Sequence, residues 1–337
     1  LYCTMGGFLA ASTSDLVQSI IMTFALAVVV IFGIVQAGGM GAVLDNAKAL
    51  PGYLDMFHTH IAETNSSGDY GFFKIVSTLA WGLGYFGMPH ILLRFMTIND
   101  EKTLKLSRRF ASVWVVIAMA VAVCIGVAGR ALSMSGIIET LSDANTETVI
   151  IRISQLLSEH GIFPALIAGL VLSGILASTM STADSQLLAA ASSVSQNILQ
   201  EKFKLNLSAK QSMLAARITV IAIAVLGIFI ARNPESSIFG IVSFAWAGFG
   251  AAFGPVVICS LFWKRTTFHG AVSGMTAGGI MVFVWKYLIK PIGGVFGVYE
   301  LLPAFLVSII VIAVVSLLSG EPDAKILAEF EEAKAVH

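Results

Sequence analysis

The residues 178–185, Ser178-Thr179-Met180-Ser181-Thr182-Ala183-Asp184-Ser185, carry five hydroxyls and a carboxylate inside an apolar stretch covering residues 161–199. Lipid offers such groups no partner, so they are kept where a bundle interior, a water-filled cavity or a cation satisfies them. On a helix, a Ser or Thr hydroxyl lies near the carbonyl three or four residues back. The spacing therefore predicts that the hydroxyls of Ser181 and Thr182 both approach the carbonyl of Ser178. Three neutral oxygens around one point suit a hard monovalent cation such as sodium. The bland alternative is that small Ser and Thr residues only let helices pack closely.

A second stretch with chemical potential is Trp81-Gly82-Leu83-Gly84-Tyr85-Phe86-Gly87-Met88-Pro89-His90. Each Gly weakens a helix by up to about 1 kcal/mol relative to Ala. Pro89 has no N–H to give to the carbonyl of Tyr85, which is predicted to stay free. Secondary transporters use discontinuous helices of this kind, with bared backbone holding solute or ion near the membrane midplane. At helical spacing, Trp81, Tyr85 and Pro89 share one face beside that backbone. The alternative is a plain kinked helix with an aromatic anchor at the membrane interface. Asp15, after Ser12-Thr13-Ser14, is a carboxylate on an ion path, or else Ser14 or Asp15 is simply a helix N-cap. A third glycine-rich stretch, residues 244–255, places Ala247, Gly250, Ala251 and Gly254 along a smooth strip suited to close helix contact.

These groups need spanning elements to hold them. The chain is 57% hydrophobic and 12% charged with a mean hydropathy of +0.87, against roughly 25% charged residues in soluble domains. Apolar segments of spanning length recur at residues 17–35, 75–96, 110–132, 162–190, 213–231, 238–263, 271–289 and 301–318, after a stub at residues 1–9. None alternates with the period of two that barrel strands require. The fold class is an all-α polytopic membrane protein of about eight helices, with a transmembrane region over residues 1–319 and a tail over residues 320–337. The opening Leu1-Tyr2-Cys3, with no initiator Met, reads as the later part of a longer protein cut inside a helix.

Charge sets the expected orientation. Lys102, Lys105, Arg108 and Arg109 share one loop; Lys202, Lys204 and Lys210, then Lys264 and Arg265, follow in alternate loops. The intervening loops carry fewer basic residues: Lys48, then Arg130 and Arg152, then Arg232. The positive-inside rule places the first set in the cytoplasm, residues 45–70 outside, and the tail, with a short charged helix over residues 325–334, inside. A net charge of +0 suggests no nucleic-acid partner. Cys3, Cys124 and Cys259 fall in or beside apolar segments and imply no disulfide framework.

With these motifs in place, the chain resembles the sodium/solute symporter family, and within it the sodium/proline symporters. The matching strings are Gly6-Gly7-Phe8-Leu9-Ala10 with Asp15, residues 81–89 running on to His90-Ile91-Leu92 and Arg94-Phe95-Met96, Met180-Ser181-Thr182, and residues 242–257. The likeness covers nearly all of residues 6–318. It implies an inverted-repeat fold of five plus five core helices, of which this chain would hold the last helix of the first repeat, the second repeat and two C-terminal helices. It also implies a sodium site from the Ser181 and Thr182 hydroxyls and the Ser178 carbonyl, completed by carbonyls of a broken helix in the first repeat. Solute contacts are implied at Trp81, Tyr85 and Pro89, and a carboxylate on the sodium route at Asp15. Asp184 departs from the small hydroxyl residue usual there, which makes it either part of a second cation site or a water-facing carboxylate, with Ser185 beside it on a candidate ion path.

The mechanism so implied is sodium-coupled import of L-proline by alternating access in the inner membrane, with Na+ as the coupling ion. A different small solute is the nearest alternative. A solute-sensing module is another, which the short tail after Gly320 disfavours. A membrane enzyme would need an acid/base pair or a metal-ligand spacing, and His58, His60, His90, His160, His269 and His337 make no helical ligand pair.

Overall fold

The computed structural model describes residues 2–98, 100–231 and 237–335; Leu1, Arg232 and His337 lie outside the described residues. In chain order the helices are α1 (Tyr2–Gln36), α2 (Met40–Lys48), α3 (Phe72–Leu79), α4 (Pro89–Met96), α5 (Glu101–Met134), α6 (Val149–Ser158), α7 (Ile162–Ser192), α8 (Ala209–Ile230), α9 (Ile238–Phe262), α10 (Phe268–Val284), α11 (Leu301–Leu318) and α12 (Ala324–Ala335). Two short strands, β1 (His58–Ile61) and β2 (Ser66–Asp69), pair within the segment read from sequence as a long loop.

Among the described residues, seven helices are long and apolar enough to cross a membrane: Leu9–Gln36, Lys102–Met134, Ile162–Lys202, Ala209–Phe229, Ile238–Phe262, Phe268–Ile292 and Leu301–Leu318. They match seven of the eight expected stretches. The eighth, residues 75–96, is not one helix. It runs as α3, a 3-10 segment Ala80–Gly87 and then α4.

Local chemistry sets several boundaries. Asp100, Ser208, Ser237 and Thr267 each accept a backbone N–H in the first turn of the helix that follows. At α8 the Ser208–Gln211 pair forms a full capping box, which starts the helix four residues before the apolar run at Met213. The span of α1 proper begins after Gly7, whose backbone (φ 58°, ψ −145°) breaks the helix.

The chain divides into two compact units. The first contains α1, α2, α5, α6, α7 and α8. Its core is Ala25, Val29, Ile125, Leu132, Ile138, Ile153 and Val171. Arg130 donates to the Asn46 side chain at 2.5 Å, joining α5 to α2, and Arg152 pairs with Glu139 at 3.2 Å.

The second unit contains α3, the 3-10 segment, α4 and α9 to α12. Its core is Ala247, Ala251, Val282, Leu301, Ala304 and Phe305. Gly270, Gly274 and Gly278 form a stripe on α10 that lets α11 approach closely. A β-carbon on Gly274 would lie 2.2 Å from the Ile312 side chain, and one on Gly270 2.0 Å from the Ser316 hydroxyl. The buried Ser308 hydroxyl donates to the Gly274 carbonyl at 2.9 Å across the same contact.

Candidate functional site

The run at 178–185 lies on one continuous stretch of α7. Thr179 and Ser185 donate to the carbonyls of Ile175 (3.2 Å) and Ser181 (3.1 Å). Ser181 and Thr182 do not do the same: among the described residues neither hydroxyl bonds the Ser178 carbonyl, so the expected convergence is not a hydrogen-bonded one. Both hydroxyls are thereby left uncommitted to the helix. Ser178 and Thr182 are exposed, Ser181 and Ser185 are half-buried, and Asp184 is buried. Ser178, Ser181 and Ser185 follow Gly174 at four, seven and eleven residues, which places all of them on one stripe of the helix.

At Gly174 that stripe meets α1. At one end of the pair, Gln36 Nε2 lies 3.3 Å from His160 Nε2, and the Phe32 and His160 rings meet edge to face at 5.4 Å. Further along, a β-carbon on Gly174 would lie 2.9 Å from the Ala25 methyl and 3.5 Å from the Ile21 carbonyl. Moving forward on α7 thus moves backward on α1, so the two helices are antiparallel. Continuing at about 1.5 Å per residue, Gln18 stands level with Ser181, and Asp15 about one turn further, level with Asp184 and Ser185. The structure therefore brings both carboxylates named from sequence to one end of one helix pair. It also corrects the capping alternative. Asp15 lies within the span Leu9–Gln36, eight residues past Gly7, and Ser14 bonds back to the Ala11 carbonyl at 2.9 Å as a mid-helix serine does.

Gln18 was missed in the sequence reading. It is buried in α1 on the same stripe as the buried residues Ala11 and Ala25, each seven residues away. An amide in a span is a signal of the same kind as a carboxylate, and it was available in the sequence.

In the second unit, the 3-10 geometry changes the expected wall. Three residues per turn turn Trp81 and Tyr85 away from a common face. Trp81 stacks on Trp246 (5.4 Å, 13°), Phe239 (5.5 Å, 10°) and Tyr299 (6.0 Å, 17°). Tyr85 stands edge-on to Trp246 at 4.8 Å and is about half exposed. Pro89 is the exposed first residue of α4 rather than a kink inside a helix, a position where its missing N–H costs nothing. The Tyr85 carbonyl accepts a long bond from Met88 N–H at 3.5 Å, so it is not wholly free.

The glycines of the segment are explained by α9. A β-carbon on Gly84 would lie 2.0 Å from Trp246 Nε1, and one on Gly87 2.4 Å from the Phe249 carbonyl. A β-carbon on Gly250 would lie 2.7 Å from Gly84 Cα. The strip Ala247, Gly250, Ala251 and Gly254 is buried and takes the broken segment backbone to backbone, which agrees with the packing reading. Two bonds from Tyr299 fix the surroundings: its N–H donates to the Ser77 hydroxyl at 2.7 Å and its phenol to the Ser243 carbonyl at 2.5 Å. Burial, and then the neighbouring Glu300 charge, push the Tyr299 phenol well above the usual tyrosine range, so it stays a donor.

A multi-pass helical membrane chain with a hydroxyl-and-carboxylate helix and a glycine-broken span has the pattern on which secondary transporters are built. Comparison with known proteins narrows this. Residues 1–278 match the model of the sodium:solute symporter family. The chain is 38% identical over 340 residues to the sodium/proline symporter of Escherichia coli (strain K12), covering 99% of this chain and 63% of that protein. It is 39% identical over 342 residues to that of Haemophilus influenzae, covering 100% and 65%. To that of Staphylococcus aureus it is 38% identical over 341 residues, covering 99% and 63%. The chain thus spans somewhat less than two thirds of the length of these relatives. It belongs to the sodium:solute symporter family.

Proposed function

We propose that the protein of which this chain is part imports L-proline together with sodium across the cell membrane by alternating access. The observation that carries this reading is the likeness to three sodium/proline symporters over at least 99% of the chain, which includes both motif-bearing helices. In this reading Na+ is held by the Ser181 and Thr182 hydroxyls and the Ser178 carbonyl. Asp15, with Asp184, Ser185 and the buried amide of Gln18, offers a second place for a cation or lines its route. The solute meets Trp81, Tyr85 and Pro89, where indole and phenol rings can flank a saturated ring and the nearby backbone can meet its charged ends. A tenfold sodium gradient is worth about 1.4 kcal/mol, and 100 mV acting on one charge about 2.3 kcal/mol. One sodium per cycle then supports accumulation on the order of several-hundred-fold.

Residues 102–109, 202–210 and 264–265 are cytoplasmic in this reading, as is the tail from residue 320 onward. Residues 45–70 are external.

The test is uptake by the full-length protein in sealed vesicles, with an imposed sodium gradient and glucose, sialic acid and pantothenate as competitors. Proline accumulation that collapses with the sodium gradient supports the reading. Better competition by one of the others keeps the transporter and removes proline as its solute.

A further inference from the structure

We infer that Trp246 is the positioning residue for the solute rings: it sets the orientation of Trp81 and Tyr85, and with it the ring size the transporter accepts. This rests on the reading of Trp81 and Tyr85 as solute contacts. Among the described residues Trp246 is the one aromatic side chain in ring contact with both. It lies parallel to Trp81 (5.4 Å, 13°) and edge-on to Tyr85 (4.8 Å, 84°). Its indole N–H donates to the Trp81 carbonyl at 3.0 Å, so one side chain holds both the ring and the backbone of Trp81. In a segment wound as a 3-10 helix, an outside donor of this kind adds a tie from α9 to the backbone at Trp81.

The sequence makes room for this contact. A β-carbon on Gly84 would lie 2.0, 2.4 and 2.7 Å from three atoms of the Trp246 indole, so no other residue at 84 permits the indole its place. Trp81 also stacks on Phe239 and Tyr299, and Tyr299 is itself bonded to Ser77 and Ser243. Trp81 is therefore held in a stack of near-parallel rings, while Tyr85 keeps half of its surface exposed and has Trp246 as its ring neighbour. The angle between the two solute-facing rings is set by one indole. A slot of fixed angle favours one saturated ring size over its homologues.

The experiment uses the full-length transporter in proteoliposomes and measures half-saturation for L-proline, for its six-membered homologue L-pipecolate and for sodium. Trp246→Phe keeps a ring and removes the N–H. It should raise half-saturation for proline about three- to tenfold, the range expected for one lost hydrogen bond. It should also narrow the proline-to-pipecolate preference, while sodium half-saturation moves less than twofold. Gly84→Ala should reproduce this loss. Combined with Trp246→Leu, which vacates the space, Gly84→Ala should add little, a non-additivity that a general folding defect does not produce. An unchanged proline half-saturation and ring-size preference in Trp246→Phe, or equal shifts for proline and sodium, overturns the proposal. Trp81→Ala separates the two readings. If it leaves proline half-saturation unchanged, the solute site itself is wrong and this inference falls with it. If it raises that value and Trp246→Phe does not, only the role of Trp246 is lost. Should Trp246→Leu fail to reach the membrane, Trp246→Phe alone decides.

Discussion

Gly174 and Ala25 meet where α7 crosses α1, so closely that a β-carbon at 174 would come within 2.9 Å of the Ala25 methyl. Such contact is tighter than side-chain carbons normally allow, and the interior has little slack to absorb it. Gly174→Ala should push the helices apart at the level just before Ser181 and raise sodium half-saturation in the full-length protein. Ala25→Gly removes the opposing methyl, and the double variant should recover most of the loss. Sodium dependence unchanged in Gly174→Ala would mean that this crossing does not govern the ion site.

Ser181→Ala and Thr182→Ala each remove one proposed ion ligand. Each should raise the sodium concentration for half-maximal uptake by about fivefold or more, on a loss of roughly 1 kcal/mol or above. Because neither hydroxyl is used to bond the Ser178 carbonyl, the folded helix should lose little stability. Thermal unfolding in detergent reads that second half of the prediction.

Asp15→Asn and Asp184→Asn probe the carboxylates that register places at one end of the α1–α7 pair. Both should slow sodium-driven uptake more than they lower the amount of protein in the membrane. Combined, they should cost less than the sum of the single losses, since they serve one locality. A drop confined to expression would make these groups structural only.

Glu300, almost fully buried at the start of α11, pairs with Lys290 at 2.8 Å. Removing one member of a buried pair strands the other. Lys290 is about two-fifths exposed, which softens the loss. Glu300→Gln should destabilise the protein by about 2 kcal/mol, below the range for a fully buried pair, read as a lower unfolding temperature. The same variant removes the smaller of the two causes that hold the Tyr299 phenol high. Tyr299 should then ionise at lower pH in an alkaline absorbance titration. The sign follows from the raised pKa: the stability it carries is present at neutral pH and is lost as alkali deprotonates the phenol.

Much of this was legible in the chain because lipid imposes blunt rules. Seven spans followed from length and hydropathy, and three glycines with a proline announced that the eighth would break. The manner of breaking was not legible. Helical spacing placed Trp81 and Tyr85 on one face, whereas the segment winds as a 3-10 helix because Gly84 and Gly87 sit against α9, a contact more than 150 residues away in sequence. The capping alternative at Ser14 or Asp15 arose because polar residues precede an apolar run, but the helix continues through them back to Gly7. The strip Ala247, Gly250, Ala251 and Gly254 was visible at its spacing, yet its partner, the broken segment at Gly84 and Gly87, was not. Spacing reveals a face, and only the fold says what covers it.

Arg265 lies in the turn between α9 and α10, and its two guanidinium nitrogens donate to the carbonyls of Ser319 (3.0 Å) and Gly320 (2.9 Å), at the end of α11. A planar fork holding two successive carbonyls resists both twisting and sliding, as a lysine at the same place would not. The point where the chain leaves α11 for the tail is thereby stitched to the turn that opens α10.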